Sequence, residues 1–357
     1  MPRKSNTSSR FRWLWGLAAG AILAILLGVF GWPWYRALEK PNTRTPQGHP
    51  VSLFVRDTCD FEDLIVLLRQ QDILIREQDF RRIATLMQYG PDIKPGHYLI
   101  RDSMSNRDLI TPLRQGHQDP VRVTFTRLRH TDRLAAKVAT KLSVDSAGLA
   151  FFLRQPDSLL QFDLTPETAL GAFLPNTYEF WWNTNECQFV KRMLQERDRF
   201  WQAEGRLEKA GEMGLTPEQV TVLASIVEEE QNALPDEWPT IAGLYLNRLR
   251  KGMPLEADPT IKFAMGRFDL KRVYLSYIEE TADSPFNTYR NPGLPPGPIC
   301  TPSPRGIDAV LNAQDHDYLF MCAKADFSGY HAFAVSHQEH IRNRNLYTAA
   351  LNRRGIR

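Results

Sequence analysis

The chain has little cysteine, and no cysteine pair stands at a metal-ligand spacing. Its four cysteines are Cys59, Cys187, Cys300 and Cys322. They lie far apart and form no Cys-x-x-Cys motif, which argues against a zinc site, and their spacing assigns no disulfide. The pattern favours free thiols. No His-Glu-x-x-His motif accompanies the helical pair His337 and His340, so the sequence predicts no metal site.

A strong charge of either sign is also lacking. The formal net charge is +3, and 24% of the residues are charged. No stretch combines many lysines and arginines with interleaved aromatics, which is the pattern of a nucleic-acid surface, so nucleic acid is not an expected partner. Proline, in contrast, is abundant at 24 residues. Many of them lie between Pro254 and Pro304, which indicates a stiffened loop region.

One long uncharged run stands near the N-terminus. Residues 13–35 carry no charge, and aromatic residues mark both ends, as in a membrane span. As a helix the run is about 35 Å long, enough to cross a hydrocarbon core of about 30 Å. Residues 1–12 are basic and predict a cytoplasmic tail, with the chain after about residue 36 outside the cytoplasmic (inner) membrane. The alternative is a cleaved signal peptide, but no small-x-small cleavage site follows the run.

The part of the chain after the apolar run begins with a small predicted module. Residues 36–50 are polar and marked by prolines, as in a linker. Residues 51–126 alternate short strands and helices over a length typical of a small binding domain. Residues 127–205 are predicted as a connecting helical region. It is interrupted by an aromatic loop at 174–183, which serves either as a sugar-stacking lip or as a core plug.

The C-terminal part is predicted as a mixed helical domain over residues 206–357. Its helices are expected to pack against a small antiparallel sheet, formed by a hairpin of residues 318–323 and 331–335. Strands and helices are segregated here, whereas they alternate in the preceding module. The predicted fold class of the whole chain is therefore α+β.

A predicted helix in this C-terminal part ends on a carboxylate that falls among apolar side chains. Thr216 and Gln219 form a capping box at its start. At about 100° per residue, Glu230 lies on the same stripe as Leu223. A carboxyl group held against aliphatic carbon loses hydration, so its pKa rises and it can donate a proton near neutral pH. Glu230 is thus the candidate general acid. The competing interpretation is that all three glutamates of 228–230 are solvated at a frayed helix end.

Six short segments have a specific order and spacing, although each is weak alone. They are Leu223–Glu230, Leu246–Leu249, Gly252–Ile261, Asn287–Tyr289, Gly293–Ile299 and Tyr330–Phe333. Together they resemble the endolytic murein transglycosylase family, whose members are also called MltG or YceG-like proteins. The resemblance continues more weakly through Lys94–Tyr98 and Phe173–Tyr178 to the apolar run.

The resemblance implies a membrane-tethered enzyme that cuts glycan strands of peptidoglycan. Residues 51–126 would be a LysM-like module, and residues 206–357 the catalytic domain. In this family the essential glutamate is the last of a Glu-x-Glu pair, which corresponds to Glu230. The chain departs from the family pattern at Glu256, where an uncharged polar residue is frequent, and at Phe286, where a tyrosine is frequent.

The expected reaction needs one carboxylate. Glycosidic cleavage requires a proton for the leaving oxygen and stabilisation of an oxocarbenium-like transition state. If the 6-hydroxyl of muramic acid is the nucleophile, Glu230 can protonate the glycosidic oxygen and then take the hydroxyl proton. The product carries a 1,6-anhydro end, and no metal or cofactor is needed. Further candidates for binding the saccharide are Asn247, Asn287, Tyr289 and His331.

Two other functional classes remain open. A muramidase would hydrolyse the same bond with water and needs a second carboxylate, for which Glu228, Glu256 and Asp258 are the candidates. A non-catalytic wall-binding scaffold would use the module and the anchor, but it would not need Glu230 on an apolar stripe. Asp258 is also the candidate N-cap of a short helix.

The expected substrate is a peptidoglycan glycan strand. A tethered active site reaches only glycan close to the membrane, where strands are still being polymerised. We therefore expect cleavage of nascent strands, which would terminate their elongation, beside a cell-wall synthase. The sequence identifies neither the synthase nor the oligomeric state.

Overall fold

The computed structural model describes Trp13, Trp15, residues 17–21, Ile25 and residues 27–355. Within these residues, no helix is both long enough and apolar enough to cross a membrane. The predicted tail 1–12 and part of the predicted span 13–35 lie outside the described residues.

Helices dominate the described chain. They are α1 Trp32–Glu39, α2 Phe61–Gln70, α3 Glu77–Leu86, α4 Asn106–Gln115, α5 Thr131–Ala139, α6 Ser146–Phe152, α7 Pro156–Leu160, α8 Glu186–Gln202, α9 Arg206–Glu212, α10 Pro217–Glu230, α11 Trp238–Arg250, α12 Asp258–Ala264, α13 Leu275–Glu280, α14 Pro304–Leu311 and α15 His337–Arg353. Shorter helical turns lie at Leu27–Gly31, Pro46–Gly48, Ala169–Ala172 and Pro235–Glu237.

Six short strands form three separate two-stranded sheets in the described residues. The strands are β1 Val51–Val55, β2 Gly96–Ile100, β3 Val121–Phe125, β4 Asn176–Phe180, β5 Phe320–Ala323 and β6 His331–Ala334. Strand β1 pairs antiparallel with β2, β3 pairs with β4, and β5 pairs antiparallel with β6. The α+β class and the C-terminal hairpin are thus confirmed.

The first of two compact units comprises the described residues up to 121 together with 179–183. Its core joins β1 and β2 to α2, α3 and α4 through buried aliphatic side chains. Part of the predicted linker is packed onto this unit, because Asn42 and Thr43 are buried. The Asn42 amide donates a hydrogen bond of 2.8 Å to Asn106, and the Thr43 hydroxyl donates one of 2.9 Å to the Arg101 carbonyl.

The second compact unit comprises residues 122–178 and the described residues from 184 onwards. Its core is centred on α10, which packs against α11 and α14. Helix α10 is buried on every face from Val220 to Glu228, so the expectation of a single apolar stripe is wrong. A helix enclosed on several sides loses the one-sided pattern of a surface helix. Thr221 and Ser225 are buried because their hydroxyls donate to carbonyls of the helix itself.

The segment predicted as an aromatic loop contains a strand. Residues 176–180 form β4, in which Tyr178 and Phe180 are buried. The ring of Tyr178 stacks on that of Phe125 at 5.7 Å between ring centroids. This part of the segment is a core plug, whereas Trp181 beyond the strand is 53% exposed.

Candidate active site

The three glutamates at the end of α10 all have protein partners. The carboxylate of Glu228 is buried and accepts a hydrogen bond of 2.7 Å from the backbone N–H of Ser303. The guanidinium of Arg129 donates two hydrogen bonds, of 3.0 and 2.7 Å, to Glu229. Glu230 is half-buried and accepts a hydrogen bond from Tyr245 of α11. The interpretation of three solvated glutamates is therefore wrong.

Glu230 forms a short contact with Tyr245 on the neighbouring helix. The Tyr245 hydroxyl donates a hydrogen bond of 2.6 Å to Oε1 of Glu230. Burial raises the pKa of Glu230, the hydrogen bond from Tyr245 lowers it, and the negative charge of Asp258 raises it further; the resulting pKa is about 7. A carboxyl group with this pKa both holds a proton near neutral pH and releases it readily. These properties suit a general acid.

A cavity of about 300 Å³ opens beside Glu230. Its polar wall is formed by Glu230, Tyr245, Arg248, Glu256, Asp258, Tyr289, His331 and His340. Its apolar wall includes Leu244, Leu255, Phe320 and Met321. Pockets for small molecules measure about 300–1,000 Å³, so this cavity has room for a small part of a polymer. A long strand bound here must extend out of it.

Asp258 lines the cavity and is not the N-cap of its helix. The N-cap of α12 is Ala257, so the prediction of Asp258 as N-cap is wrong by one residue. The carboxylate of Asp258 instead accepts a hydrogen bond of 2.6 Å from the hydroxyl of Tyr289. Burial raises the pKa of Asp258, and the bond from Tyr289 partly offsets that rise. The structure thus brings Tyr289, a predicted saccharide-binding residue, into the cavity beside Glu230.

Arg248 and Glu256 form an ion pair at the cavity wall. The guanidinium of Arg248 is buried, binds the carboxylate of Glu256, and donates hydrogen bonds to the carbonyls of Pro254 and Leu319. Glu256 has a φ of 51°, a left-handed conformation that costs energy in a residue other than glycine. The ion pair with Arg248 holds the acidic side chain of Glu256 at this position.

His331 reaches the cavity from β6 and is held by Glu237. Nδ1 of His331 lies 2.7 Å from Oε2 of Glu237, and the backbone N–H of His331 donates 2.8 Å to Oε1. Burial alone would raise the pKa of Glu237, but hydrogen bonds from His331 and Gln231 more than offset this, and the pKa is lowered. Glu237 is therefore a carboxylate that orients the imidazole. The sequence points to His331 but not to this partner.

The two predicted asparagines lie outside the cavity wall. The amide of Asn247 donates hydrogen bonds of 2.6 and 3.1 Å to the carbonyls of His316 and Tyr318. The amide of Asn287 is buried and donates to the carbonyls of Ile278 and Thr281. Both side chains fix the loops around the site. Their contact with a saccharide stays a prediction.

The described residues contain no group of three or more His, Cys, Asp or Glu side chains that could hold a metal ion. All four cysteines are free thiols, and burial raises the pKa of Cys322 at the cavity wall.

Replacing Tyr245 by Phe tests whether the hydroxyl of Tyr245 on α11 lowers the pKa of Glu230 on α10. The substitution removes the hydrogen bond that stabilises the ionised form of Glu230, so the pKa of Glu230 rises. If Glu230 acts as an acid, activity is lost as the pH rises through this pKa. We expect the alkaline limb of the pH–activity profile to move upward by about one to two pH units, since a hydrogen bond to a charged group contributes about 1.5–3 kcal/mol. An alkaline limb at the wild-type position would contradict this effect of Tyr245 on the pKa of Glu230.

Replacing Asp258 by Asn should move the alkaline limb of the pH–activity profile downward, opposite to the effect of Tyr245→Phe. The negative charge of Asp258 raises the pKa of Glu230, and Asn removes that charge while its amide oxygen can still accept from Tyr289. The alkaline limb should then lie at lower pH than in the wild type. Measured together, the two variants separate a specific effect on Glu230 from general damage, which would not shift the limb in opposite directions.

Comparison with known proteins places this site in a family context. The family model described as YceG-like family matches residues 53–346. A Bacillus subtilis (strain 168) protein named endolytic murein transglycosylase is 27% identical over 329 residues, covering 87% of this chain and 86% of that protein. A Streptococcus pneumoniae serotype 2 protein of the same name is 28% identical over 284 residues, covering 71% of this chain and 50% of that protein. A crystal structure of a yceG-like protein from Listeria monocytogenes shares the fold, with a TM-score of 0.54 and 23% identity, over 82% of this chain and 98% of that one.

Proposed function

Because the chain belongs to the YceG-like family, we propose that it is an endolytic lytic transglycosylase of peptidoglycan. The proposed reaction cleaves the MurNAc–GlcNAc bond within a glycan strand and leaves a 1,6-anhydroMurNAc end. The observation that carries the proposal is the carboxyl group of Glu230, which is bound by Tyr245 at a cavity wall and has a pKa of about 7. The relatives named endolytic murein transglycosylase support the same reaction.

Glu230 acts first as the acid in this proposal. Its proton passes to the glycosidic oxygen as the bond from that oxygen to the anomeric carbon breaks, and positive charge develops on the sugar. The 6-hydroxyl of the same muramoyl residue then bonds to the anomeric carbon and closes the anhydro ring. The hydroxyl proton needs an acceptor, and the carboxylate left on Glu230 is available for it.

Two of the three carboxylates that could serve a hydrolase are held by protein partners. A hydrolase needs a second carboxylate that is free to activate water. Glu228 is bound by Ser303, and Glu256 is bound by Arg248. The third, Asp258, accepts from the Tyr289 hydroxyl through Oδ1, so the chemistry of the product decides between the two reactions. The 6-hydroxyl needs only an acceptor for its proton, because the substrate itself positions this nucleophile.

We also propose that the enzyme is tethered to the cytoplasmic membrane by one N-terminal span, with its catalytic part on the extracytoplasmic side. The support is the uncharged run of residues 13–35 after a basic tail. Tethering would restrict cleavage to nascent strands beside a cell-wall synthase and so terminate their elongation. Fractionation of cells, followed by protease digestion of the exposed side, tests this location. Recovery of the intact chain in the soluble fraction would contradict it.

The chemistry of the product tests the proposed function. The full chain in detergent and its Glu230→Gln variant are incubated with uncrosslinked glycan strands, and the new ends are identified by mass. The proposal predicts 1,6-anhydroMurNAc ends from the wild type and none from the variant. Ends heavier by one water would favour a muramidase. Binding by both proteins without cleavage by either would favour a scaffold.

A further inference from the structure

A histidine that the proposed reaction leaves unused lines the same cavity as Glu230. His331 stands on β6 and contributes to the cavity wall. Glu230 and His331 both line this cavity, whose volume is about 300 Å³. The cavity therefore holds two proton-transfer groups, one a carboxyl and one an imidazole.

The orientation of His331 is fixed by a buried carboxylate. Nδ1 and the backbone N–H of His331 are both bound by Glu237. Glu237 is itself held by Gln231, whose amide donates 2.9 Å to the Glu237 carboxylate and 2.9 Å to the carbonyl of Gly329. The indole of Trp238 donates 2.7 Å to the Gln231 carbonyl. In the neutral imidazole, a carboxylate at Nδ1 selects the tautomer whose Nε2 is a hydrogen-bond acceptor.

Glu230 is similarly restricted to one free oxygen. Its Oε1 is bound by Tyr245, which leaves Oε2 for the substrate. Protonating the glycosidic oxygen and deprotonating the 6-hydroxyl involve two different oxygens of the substrate. One carboxyl oxygen can serve both only in succession. A second group in the cavity allows the hydroxyl to lose its proton while the glycosidic bond is still breaking.

We propose that His331 is a second catalytic residue, whose Nε2 takes the proton of the muramoyl 6-hydroxyl while Glu230 protonates the leaving oxygen. The inference rests on the proposed transglycosylase function. The bond from the anomeric carbon to the leaving oxygen breaks, and the bond from that carbon to the 6-oxygen forms. The strand loses no atoms, His331 gains one proton and Glu230 loses one. Transfer of a proton from His331 to Glu230 through solvent restores both. Glu237 acts as the positioning residue for the imidazole.

The test uses His331→Ala and His331→Gln in the full chain, with Glu230→Gln beside them. Strand binding and the cleavage rate at saturating strand are measured separately. A base role predicts a rate lower by about a hundred- to ten-thousandfold with little change in binding. It also predicts that added imidazole restores part of the rate to His331→Ala, because the substitution leaves room for the missing ring, and restores none to Glu230→Gln.

Each other outcome has a definite meaning. A loss confined to binding makes His331 a saccharide contact and overturns the inference. An unchanged rate, or a lower rate that imidazole does not restore in a folded variant, overturns it as well. Glu237→Gln provides an independent check, since it should slow cleavage without weakening binding. The wild-type products test the function separately: ends heavier by one water would sink the transglycosylase while leaving the effect of His331 on the rate measurable.

Discussion

Replacement of Glu230 by Gln is expected to slow strand cleavage by about a hundred- to ten-thousandfold, the usual contribution of a general acid. Gln has nearly the same shape as Glu and can still accept the hydrogen bond from Tyr245, but it has no proton to give to the glycosidic oxygen. Strand binding should change little, because the loss arises in the transition state. The rate at saturating strand and the binding affinity, measured separately, check this expectation.

The same variant should remain folded, with a stability that differs from the wild type in a pH-dependent way. Glu230 has a pKa of about 7 in the folded chain and an ordinary value of 4.5. Between these values the folded state keeps a proton that the unfolded state loses, so the wild type loses stability as the pH rises through this window. Gln does not ionise. At pH values above this window, Glu230→Gln should therefore melt at a temperature at least as high as the wild type. Retained cleavage in a folded variant would remove Glu230 from the mechanism.

Replacement of Gly243 by Ala is expected to lower the free energy of unfolding by about 2–3 kcal/mol, as overpacking of a filled interior does. Gly243 lies in α11, and a Cβ there would stand 2.3 Å from the carbonyl oxygen of Gln314 and 2.8 Å from Nε2 of His316. The close approach fixes α11 against the segment that leads to β5. Because α11 also carries Tyr245, the displacement should lower activity too.

A matched glycine provides the control for this prediction. Gly211 lies in α9, and a Cβ there would meet nothing within 4 Å. Helix propensity alone predicts that Ala stabilises either position by up to about 1 kcal/mol. Denaturant unfolding should show a gain for Gly211→Ala and a loss for Gly243→Ala. Gains at both positions would mean that α11 does not pack against the Gln314 segment as described.

Local sequence signals predicted the start of α10 and the place of Glu230 in it. The capping box of Thr216 and Gln219 involves residues three positions apart. Ser303 is likewise the N-cap of α14, and its hydroxyl accepts from the backbone N–H of Gly306, three positions further on. Such signals survive tertiary packing because all their partners belong to one turn of helix. The family resemblance identified the same glutamate from other evidence, and family membership is confirmed.

The partners of the candidate acid could not be predicted in this way. Tyr245 stands between Leu244 and Leu246 in the sequence and is indistinguishable there from a core aromatic. Only the tertiary structure brings its hydroxyl to Glu230. Asp258 fits the local rule for an N-cap, yet Tyr289, thirty-one positions further along the chain, binds its carboxylate. Glu237 and His331 are separated by 94 positions. Contacts at such separations leave no periodic trace in the sequence.

The burial of α10 shows that the spacing of apolar residues does not predict which faces of a helix are buried. A stripe was predicted because apolar residues recur at helical spacing, but small and hydroxyl-bearing residues on the remaining faces are buried as well. A hydrophobicity pattern counts Thr221 and Ser225 as polar and therefore does not predict their burial. Their hydroxyls can be buried because they donate hydrogen bonds to backbone carbonyls. Gly306 is a further example: a Cβ there would lie 2.0 Å from the carboxylate of Glu228, so the glycine reflects a close approach between α14 and α10.

The most direct test of the proposed mechanism is cleavage of uncrosslinked strands by the full chain in water enriched with heavy oxygen. The 6-hydroxyl of the substrate is the proposed nucleophile and Glu230 the proposed proton donor, so no oxygen from water should enter either new end. The predicted result is unlabelled 1,6-anhydroMurNAc ends from the wild type and no new ends from Glu230→Gln. Heavy oxygen at the new reducing end would show that water attacks the anomeric carbon, and it would contradict the transglycosylase.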